Sequence, residues 1–487
     1  MNSLQDKTPG RVILVAGVAA LGGLLFGFDS AVINGTVSAI QEEFDLGPGL
    51  LGFTVSCALL GAMVGAWMSG WLADNIGRTR SMLVAAVLFT ASAVGSGLAF
   101  GVTDLIIWRT IGGVGVGMAS VLAPAYIAEI SPAHSRGRLG SMQQLAIVSG
   151  IFLALLSNAF LANIAGGSAE ELWFGLGAWR WMFLAELVPA IAYGLLALAI
   201  PESPRYLVGQ QQFVSAGKIL RDVVGIRGKE AAEKKIAEIK ESLHLEERQS
   251  LRDLRGAAAG LKPIVWIGIG LSVFQQFVGI NVIFYYSTTL WQSVGFTEAD
   301  SLTITVLTSV TNILVTVVAI LLVDKIGRKI LLLVGSAGMF LSLATMAVSF
   351  SQAIVETGAD GEQAVSLPQP WSIIALIAAN LFVVSFGATW GPMVWVLLGE
   401  MFPNRLRALA LGVAASAQWL ANFTVSQTFP ALAAVGLPLA YGLYAFFAFV
   451  SFFFVWRFIR ETKGMQLEDM NEEAYARAPQ RGHQEGG

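Results

Sequence analysis

Two charged side chains stand inside stretches that are otherwise apolar: Asp29, at the end of GGLLFGFD (22–29), and Arg109, at the start of RTIGGVGVG (109–117). A lone charge in an apolar surrounding is costly, so each should seek the other. Two roles are open to such a pair. It can be a permanent structural tie. Alternatively, Arg109 holds Asp29 ionised in one arrangement, and in a dehydrated arrangement without it the carboxyl binds a proton. A group that changes charge between conformations is what proton coupling requires. The three histidines, His134, His244 and His483, lie outside the apolar stretches and cannot do this work. A second set of residues is neutral: Gln144, Gln275, Gln276, Asn281, Asn312 and Gln418 also fall in apolar runs, with Trp419 beside the last of them. A buried amide is costly unless another helix or a ligand satisfies it, and any one of these taken alone reads first as a tie between helices. No His/Cys set has metal-ligand spacing and no nucleophile stands with a base, so neither a metal, a cofactor nor an enzyme activity is expected.

The elements that carry these residues follow from composition. Of 487 residues, 55% are hydrophobic and 13% charged, where a soluble domain carries about a quarter as Asp, Glu, Lys and Arg. With mean hydropathy +0.67, polar surface is too scarce to cover a water-soluble body of this size. The single Cys57 excludes a disulfide scaffold, and the net charge of −3 gives no basic field for nucleic acid. The lipid bilayer is therefore the expected surrounding. Runs of roughly 20 apolar residues can cross it as helices. Twelve such runs stand at about 11–36, 50–73, 81–101, 104–128, 139–163, 180–200, 263–292, 301–323, 330–351, 371–399, 407–429 and 437–459. They are too long for barrel strands and lack a period of two.

Charge sorts the loops. Taking the runs alternately, Arg78/Arg80, Arg136/Arg138, the 201–262 segment, Lys325/Arg328/Lys329, Arg405/Arg407 and Arg457/Arg460 fall on one side, and of all Lys and Arg only Arg109 and Arg180 escape it. By the positive-inside rule that side is cytoplasmic and both termini lie there, in a cell inner (plasma) membrane. Gly113-Val-Gly115-Val-Gly117 resembles a dinucleotide fingerprint, but it follows no strand and lies in a span, where small residues let helices approach. Asn34-Gly-Thr36 and Asn422-Phe-Thr424 match glycosylation sequons inside or at the edge of spans and carry no weight.

The chain repeats itself. Asp74-Asn-Ile-Gly77-Arg78 follows the second span and Asp324-Lys-Ile-Gly327-Arg328 the eighth; Glu129-Ile-Ser-Pro132-Ala-His-Ser-Arg136 ends the fourth and Glu400-Met-Phe-Pro403-Asn-Arg-Leu-Arg407 the tenth. Two motifs in the same order with the same internal spacing imply a duplicated six-helix unit with a path between the copies. The expected fold is an all-α membrane protein of twelve transmembrane helices in two pseudo-symmetric six-helix bundles, 1–200 and 263–460. A charged 201–262 segment with amphipathic helices links them, and a short cytoplasmic tail occupies 461–487.

At these motifs, joined by PESPR (201–205), QQFVGIN (275–281), GPMVWVLLGEMFP (391–403) and AQWLANF (417–423), the chain resembles the sugar porters of the major facilitator superfamily over roughly residues 11–465. Thr79, where a second arginine is usual, is expected to loosen that loop's contacts. The resemblance implies a proton-coupled monosaccharide symporter, glucose or another hexose first, working by alternating access. The alternatives are a facilitator of the same fold or a membrane sugar sensor. It places sugar contacts at Gln144, Gln275, Gln276, Asn281, Asn312, Trp395 and Trp419, with Phe26, Phe284, Gly391 and Gln418 lining the same cavity. Ile151 and Phe284 make that lining apolar beside the amides, as in glucose-carrying members. Asp29 with Arg109 becomes the proton-coupling pair, and Tyr285 and Tyr286 the outer gate. Asp74, Arg78, Glu129, Arg136, Asp324, Arg328, Glu400 and Arg407 become a cytoplasmic ion-pair gate, expected to form while the cavity faces outward and to break when the halves part inside. Glu186 is expected to join that cytoplasmic cluster. The expected partners are a monosaccharide, a proton and lipid; nothing points to an obligate protein partner.

Overall fold

The computed structural model describes residues 10–132, 135–226, 228–246, 254–256, 260–357, 363–402 and 406–461. Among them eleven helices are long and apolar enough to cross a membrane. In order these are Gly10–Gly35, Pro48–Ile76, Arg78–Gly97, Val102–Ile130, Leu139–Ala165, Ala178–Ala199, Pro263–Gln292, Glu298–Ile320, Arg328–Phe350, Trp371–Met401 and Leu437–Phe458. The remaining helix, Arg407–Val435, has 29 residues, and Gln418, Asn422, Ser426 and Gln427 dilute its apolar run. It stands in the eleventh place, so twelve spans are present in the order read from the sequence. Two antiparallel hairpins between spans, Glu171–Trp173 with Leu176–Gly177 and Ile354–Thr357 with Gln363–Ser366, were too short to read from alternation. Between the sixth and seventh spans lie three helices, Pro204–Gly209, Phe213–Asp222 and Lys229–Glu246. Ser203 caps the first of these, accepting from the N–H groups of Arg205 and Tyr206.

Several spans are interrupted by irregular backbone. The seventh breaks between Phe277 and Ile280, with Gly279 at φ +81°. Only glycine takes that conformation freely, and a Cβ there would meet the Tyr444 ring at 2.7 Å. In the tenth span the irregular segment comes just before Gly391-Pro392, a widened turn at Phe386–Trp390 in which the Gly391 N–H donates to Phe386 O. Proline at the second position of the inner segment then needs no donor of its own.

Close packing of the second and fourth spans explains the glycine run at 113–117. A Cβ on Gly113 would lie 2.0 Å from Ala58 O, and one on Gly117 2.0 Å from Ala62 O. Reciprocally, a Cβ on Gly61 would lie 2.2 Å from Thr110 O and one on Gly65 2.1 Å from Val114 O. Each helix thus presses its glycines onto the other's carbonyls, a contact of backbone on backbone that no side chain can enter. Gly113→Val should force these helices apart at a cost of roughly 1–3 kcal/mol or more. A thermal melt of the purified protein in detergent checks it; an unchanged midpoint contradicts the packing.

Candidate functional site

The fourth span carries Arg109 against Asp29 of the first. Arg109 Nη1 lies 3.2 Å from Asp29 Oδ1 and also donates to Asp29 O at 3.1 Å; the two side chains are 2% and 1% exposed. The guanidinium lies over the Phe183 ring, 5.6 Å from its centre. Gly112 makes room: a Cβ there would meet Ser92 Oγ at 2.3 Å and Asp29 Oδ1 at 3.1 Å. Glu186, at the junction of the two helical segments of the sixth span, is fully buried and shares the field of Asp29 and Arg109. This corrects its expected place in the cytoplasmic cluster, because the sixth span brings it to the buried pair instead. Asp29 Oδ2, Arg109 Nε and Glu186 Oε1 are buried without partners. Two carboxyls around one guanidinium leave one negative charge uncompensated when both are ionised, and one bound proton neutralises it. A cavity of ≈ 10 Å³, about the room for one water, is lined by Asp29, Ser30, Arg109 and Tyr285 among others.

The amides expected to contact sugar gather around the breaks in spans seven and ten. Gln275 Nε2 donates to Trp390 O at 3.0 Å and to Gly391 O at 3.2 Å. Across the break at Gly279, Asn281 Nδ2 donates to Gln276 Oε1 at 2.6 Å. Asn312 is buried on the eighth span, its Oδ1 facing Gly387 in the widened turn. Gln418 Oε1 is buried and unpartnered. Trp419 packs on Phe26 of the other half, ring centres 5.8 Å apart. Phe284 is buried, and its carbonyl is engaged by Asn34. Gln144 is half-buried on the fifth span and Trp395 is 45% exposed on the inner segment of the tenth. Among the described residues no hydrogen bond joins either of these two to the other amides.

The two halves are held together at the outer end. Asn34 Nδ2 donates to Phe284 O at 2.9 Å, and Asn34 Oδ1 accepts from the N–H and the hydroxyl of Thr288. Ser38 donates to Gln292 Oε1 at 2.8 Å, and Ser168 N to Glu298 Oε1 at 2.9 Å. Gln427 reaches Gly49 O at 2.9 Å and accepts from Ser56 at 3.1 Å. Gly52 permits this approach, since a Cβ there would lie 2.3 Å from Gln427 O. Of the expected gate tyrosines, Tyr286 donates to Ser426 O at 2.8 Å, and the Tyr285 hydroxyl faces Asn422 and Ser30. Sequence reasoning passed over Asn34 as part of a sequon. The signal was available: it is an amide in an apolar run, like the six that were flagged.

At the end that carries the repeated Gly-Arg motifs, Arg78 pairs with Asp74 at 2.9 Å and Glu129 at 3.0 Å, and Arg328 pairs with Glu400 at 3.0 Å. The side chains of Arg136, Asp324 and Arg407 lie outside the described residues. These ion pairs are present together with the closed outer end. Each joins helices of one half, so parting of the halves does not pull its partners apart. A third repeat was missed. Glu202, after span six, accepts from the N–H groups of Arg78 and Thr79 at 2.9 and 3.2 Å. Glu461, after span twelve, accepts from those of Arg328 and Lys329 at 2.9 and 3.1 Å. A carboxylate at a helix N-terminus answers its free donors and its dipole. Gly77 and Gly327 leave the space, since a Cβ would meet these carboxylates at 2.3 and 2.7 Å. Thr79 does not loosen the loop, because its hydroxyl donates to Glu202 Oε2 at 2.8 Å.

Removing the Asn34 amide takes three hydrogen bonds from the outer closure and leaves the inner networks intact. Asn34→Ala should raise the population open to the outside by roughly tenfold, at about 1 kcal/mol net per neutral bond with partial replacement by water. Distances between labels placed across the outer ends of spans one and seven measure this, and an unchanged distribution contradicts the latch.

Residues 15–474 match the family described as "Sugar (and other) transporter". The chain is 58% identical to the glucose transport protein of Synechocystis sp., over 94% of this chain and 97% of that one. It is 38% identical to the D-xylose-proton symporter of Escherichia coli, covering 93% and 94%, and 35% identical to the arabinose-proton symporter of Bacillus subtilis, covering 96% of each. Its structure resembles the inward-open conformation of the xylose transporter XylE from E. coli, with TM-score 0.78 and 37% identity over 95% of this chain and all of that one. With its twelve spans, its repeated halves and a match running through both of them, the chain belongs to the sugar porter family of the major facilitator superfamily.

Proposed function

We propose that this transporter moves a neutral monosaccharide, a hexose such as glucose, inward together with a proton by alternating access. The observation that carries the coupling is the buried Asp29–Arg109 pair with Glu186 in the same field, one proton short of neutrality. The paired carboxylate with a closed outer end fits a state that has released its proton. Loss of Arg109 from Asp29 in another conformation would leave the carboxyl to bind one. Two halves, 1–200 and 263–460, rock about the site while the 201–262 segment joins them and the 461–487 tail follows.

Sugar recognition falls to amides and aromatic faces, which suit a ligand whose hydroxyls both donate and accept and whose C–H side is apolar. Gln275, Gln276, Asn281, Asn312, Gln418, Phe284 and Gly391 supply it from the C-terminal half, with Trp395 and Trp419; Phe26 and Gln144 face them from the other. Tyr285 and Tyr286 act with Asn34 at the outer gate. The cytoplasmic pairs around Arg78 and Arg328 stiffen each half at its inner end. The relatives' named substrates, glucose, xylose and arabinose, support a monosaccharide, and the apolar Ile151 and Phe284 favour the hexose. The expected setting is the inner or plasma membrane with both termini cytoplasmic, the loop charges being the support. The partners are the sugar, the proton and the bilayer lipid.

Labelled glucose uptake into proteoliposomes with and without an inward proton gradient tests the reading. Accumulation above the outside concentration, lost with a protonophore, is expected; equilibration to the same level in both cases would leave a facilitator. Asp29→Asn should abolish accumulation and spare sugar counterflow, and loss of both would assign Asp29 a purely structural role. Gln276→Ala should weaken glucose binding in detergent by roughly tenfold or more; unchanged affinity removes it from the site.

A further inference from the structure

The hydrogen bonds inside the amide cluster decide which way each amide can speak to a ligand. Resting on the sugar reading above, we propose that Gln275 is a one-way reader: it can only accept a hydrogen bond from the sugar, because the widened turn of span ten consumes its donors. The turn at Phe386–Trp390 and the inner segment after it present the carbonyls of Trp390 and Gly391 to the seventh span. Only an –NH2 group can face two carbonyls, so these partners settle the orientation of the amide without ambiguity. The turn itself is held from the far side. Trp390 Nε1 donates to Leu332 O at 3.0 Å and to Ser336 Oγ at 3.1 Å, and Ser336 pairs with Ser451 at 2.9 Å. A Cβ on Gly335 would collide with Thr389 and Trp390. The carbonyls therefore cannot move aside to release the amide. What remains is Gln275 Oε1, buried on a side chain 3% exposed and without a partner. A buried acceptor left unpaired is costly, and a hydroxyl donor relieves it.

Its neighbours are not restricted in this way. The bond from Asn281 Nδ2 to Gln276 Oε1 uses one hydrogen of the first amide and one lone pair of the second, so each keeps both a donor and an acceptor for a ligand. A sugar hydroxyl at Gln275 must donate, whereas one at Gln276 or Asn281 can do either. Discrimination at that one hydroxyl follows from the direction of its bond, over and above the shape of the lining.

Deoxy and deoxyfluoro analogues separate the two roles, since a C–F group accepts weakly and donates nothing. Binding of the series is measured by titration calorimetry on the purified full chain, with glucose or whichever monosaccharide the wild type binds. At the ring position facing Gln275, the fluoro and deoxy analogues should lose affinity alike, by roughly tenfold or more. In Gln275→Met, similar in shape and without hydrogen-bonding groups, the parent sugar should weaken and the penalty at that one position should vanish. Penalties at the other ring positions should persist in this variant. If the wild type tolerates fluorine at every position, or if Gln275→Met keeps the same penalty pattern, the proposal is overturned. Should that variant bind no sugar, the wild-type series alone decides, by the presence or absence of a position where fluorine does no better than hydrogen. A wild type that binds no monosaccharide at all would instead overturn the function on which this inference rests.

Discussion

Burial of Asp29 against Arg109 constrains the whole N-terminal half. Bringing either charge out of water costs several kcal/mol, so the pair persists only if the helices hold both ends in place and keep solvent away. The fourth span does the first by locking onto the second through Gly61, Gly65, Gly113 and Gly117, with backbone touching backbone. Gly112, between Arg109 and that seam, leaves the gap into which Asp29 and Ser92 project. The glycine run is thus shared between packing and electrostatics. The small cavity shows where the arrangement is left incomplete, and Tyr285 of the seventh span lines it beside the charged pair.

The C-terminal half solves a different problem, presenting polar groups at membrane depth without leaving backbone unsatisfied. Its seventh and tenth spans are interrupted, and the groups freed by one interruption are met by side chains from the other. Gln275 covers the carbonyls beside the widened turn, and Asn281 bridges the break at Gly279 to Gln276. Gln275, Gln276 and Asn281 form such ties, as is expected of buried amides. Under the proposed sugar binding, the functional information lies in which of their atoms the ties leave over.

Both halves use one device at the end that carries the Gly-Arg motif, a carboxylate that caps the helix after it. Glu202 and Glu461 come from the chain that leaves the sixth and twelfth spans, so each bundle's last helix is stapled to its third. The staple and the ion pairs beside it stay within a half. Closure of the outer end depends instead on Asn34, Ser38, Ser168 and Gln427, which reach across. Rigid halves with a separable seam are what a rocking transporter needs.

The number and order of the spans were legible in the sequence because each depends on local composition. Charge density, apolar run length and loop arginines act on their own neighbourhood, and the duplicated motifs carry their spacing in the chain. The pairing of Asp29 with Arg109 was legible for the same reason, since two isolated charges in apolar runs have few other choices. Tertiary structure alone decided matters that depend on distance between remote segments. Glu186 lies nowhere near Asp29 in sequence, and only the angle of the sixth span brings it there. Asn34 stood in a sequon that was given no weight, and only the fold sets Thr288 and Phe284 against it. The confinement of the ion pairs to single halves, and the orientation of the Gln275 amide, follow from which carbonyls and carboxylates arrive beside them. A hydrogen bond is settled within a few tenths of an ångström, and residue type does not carry that information.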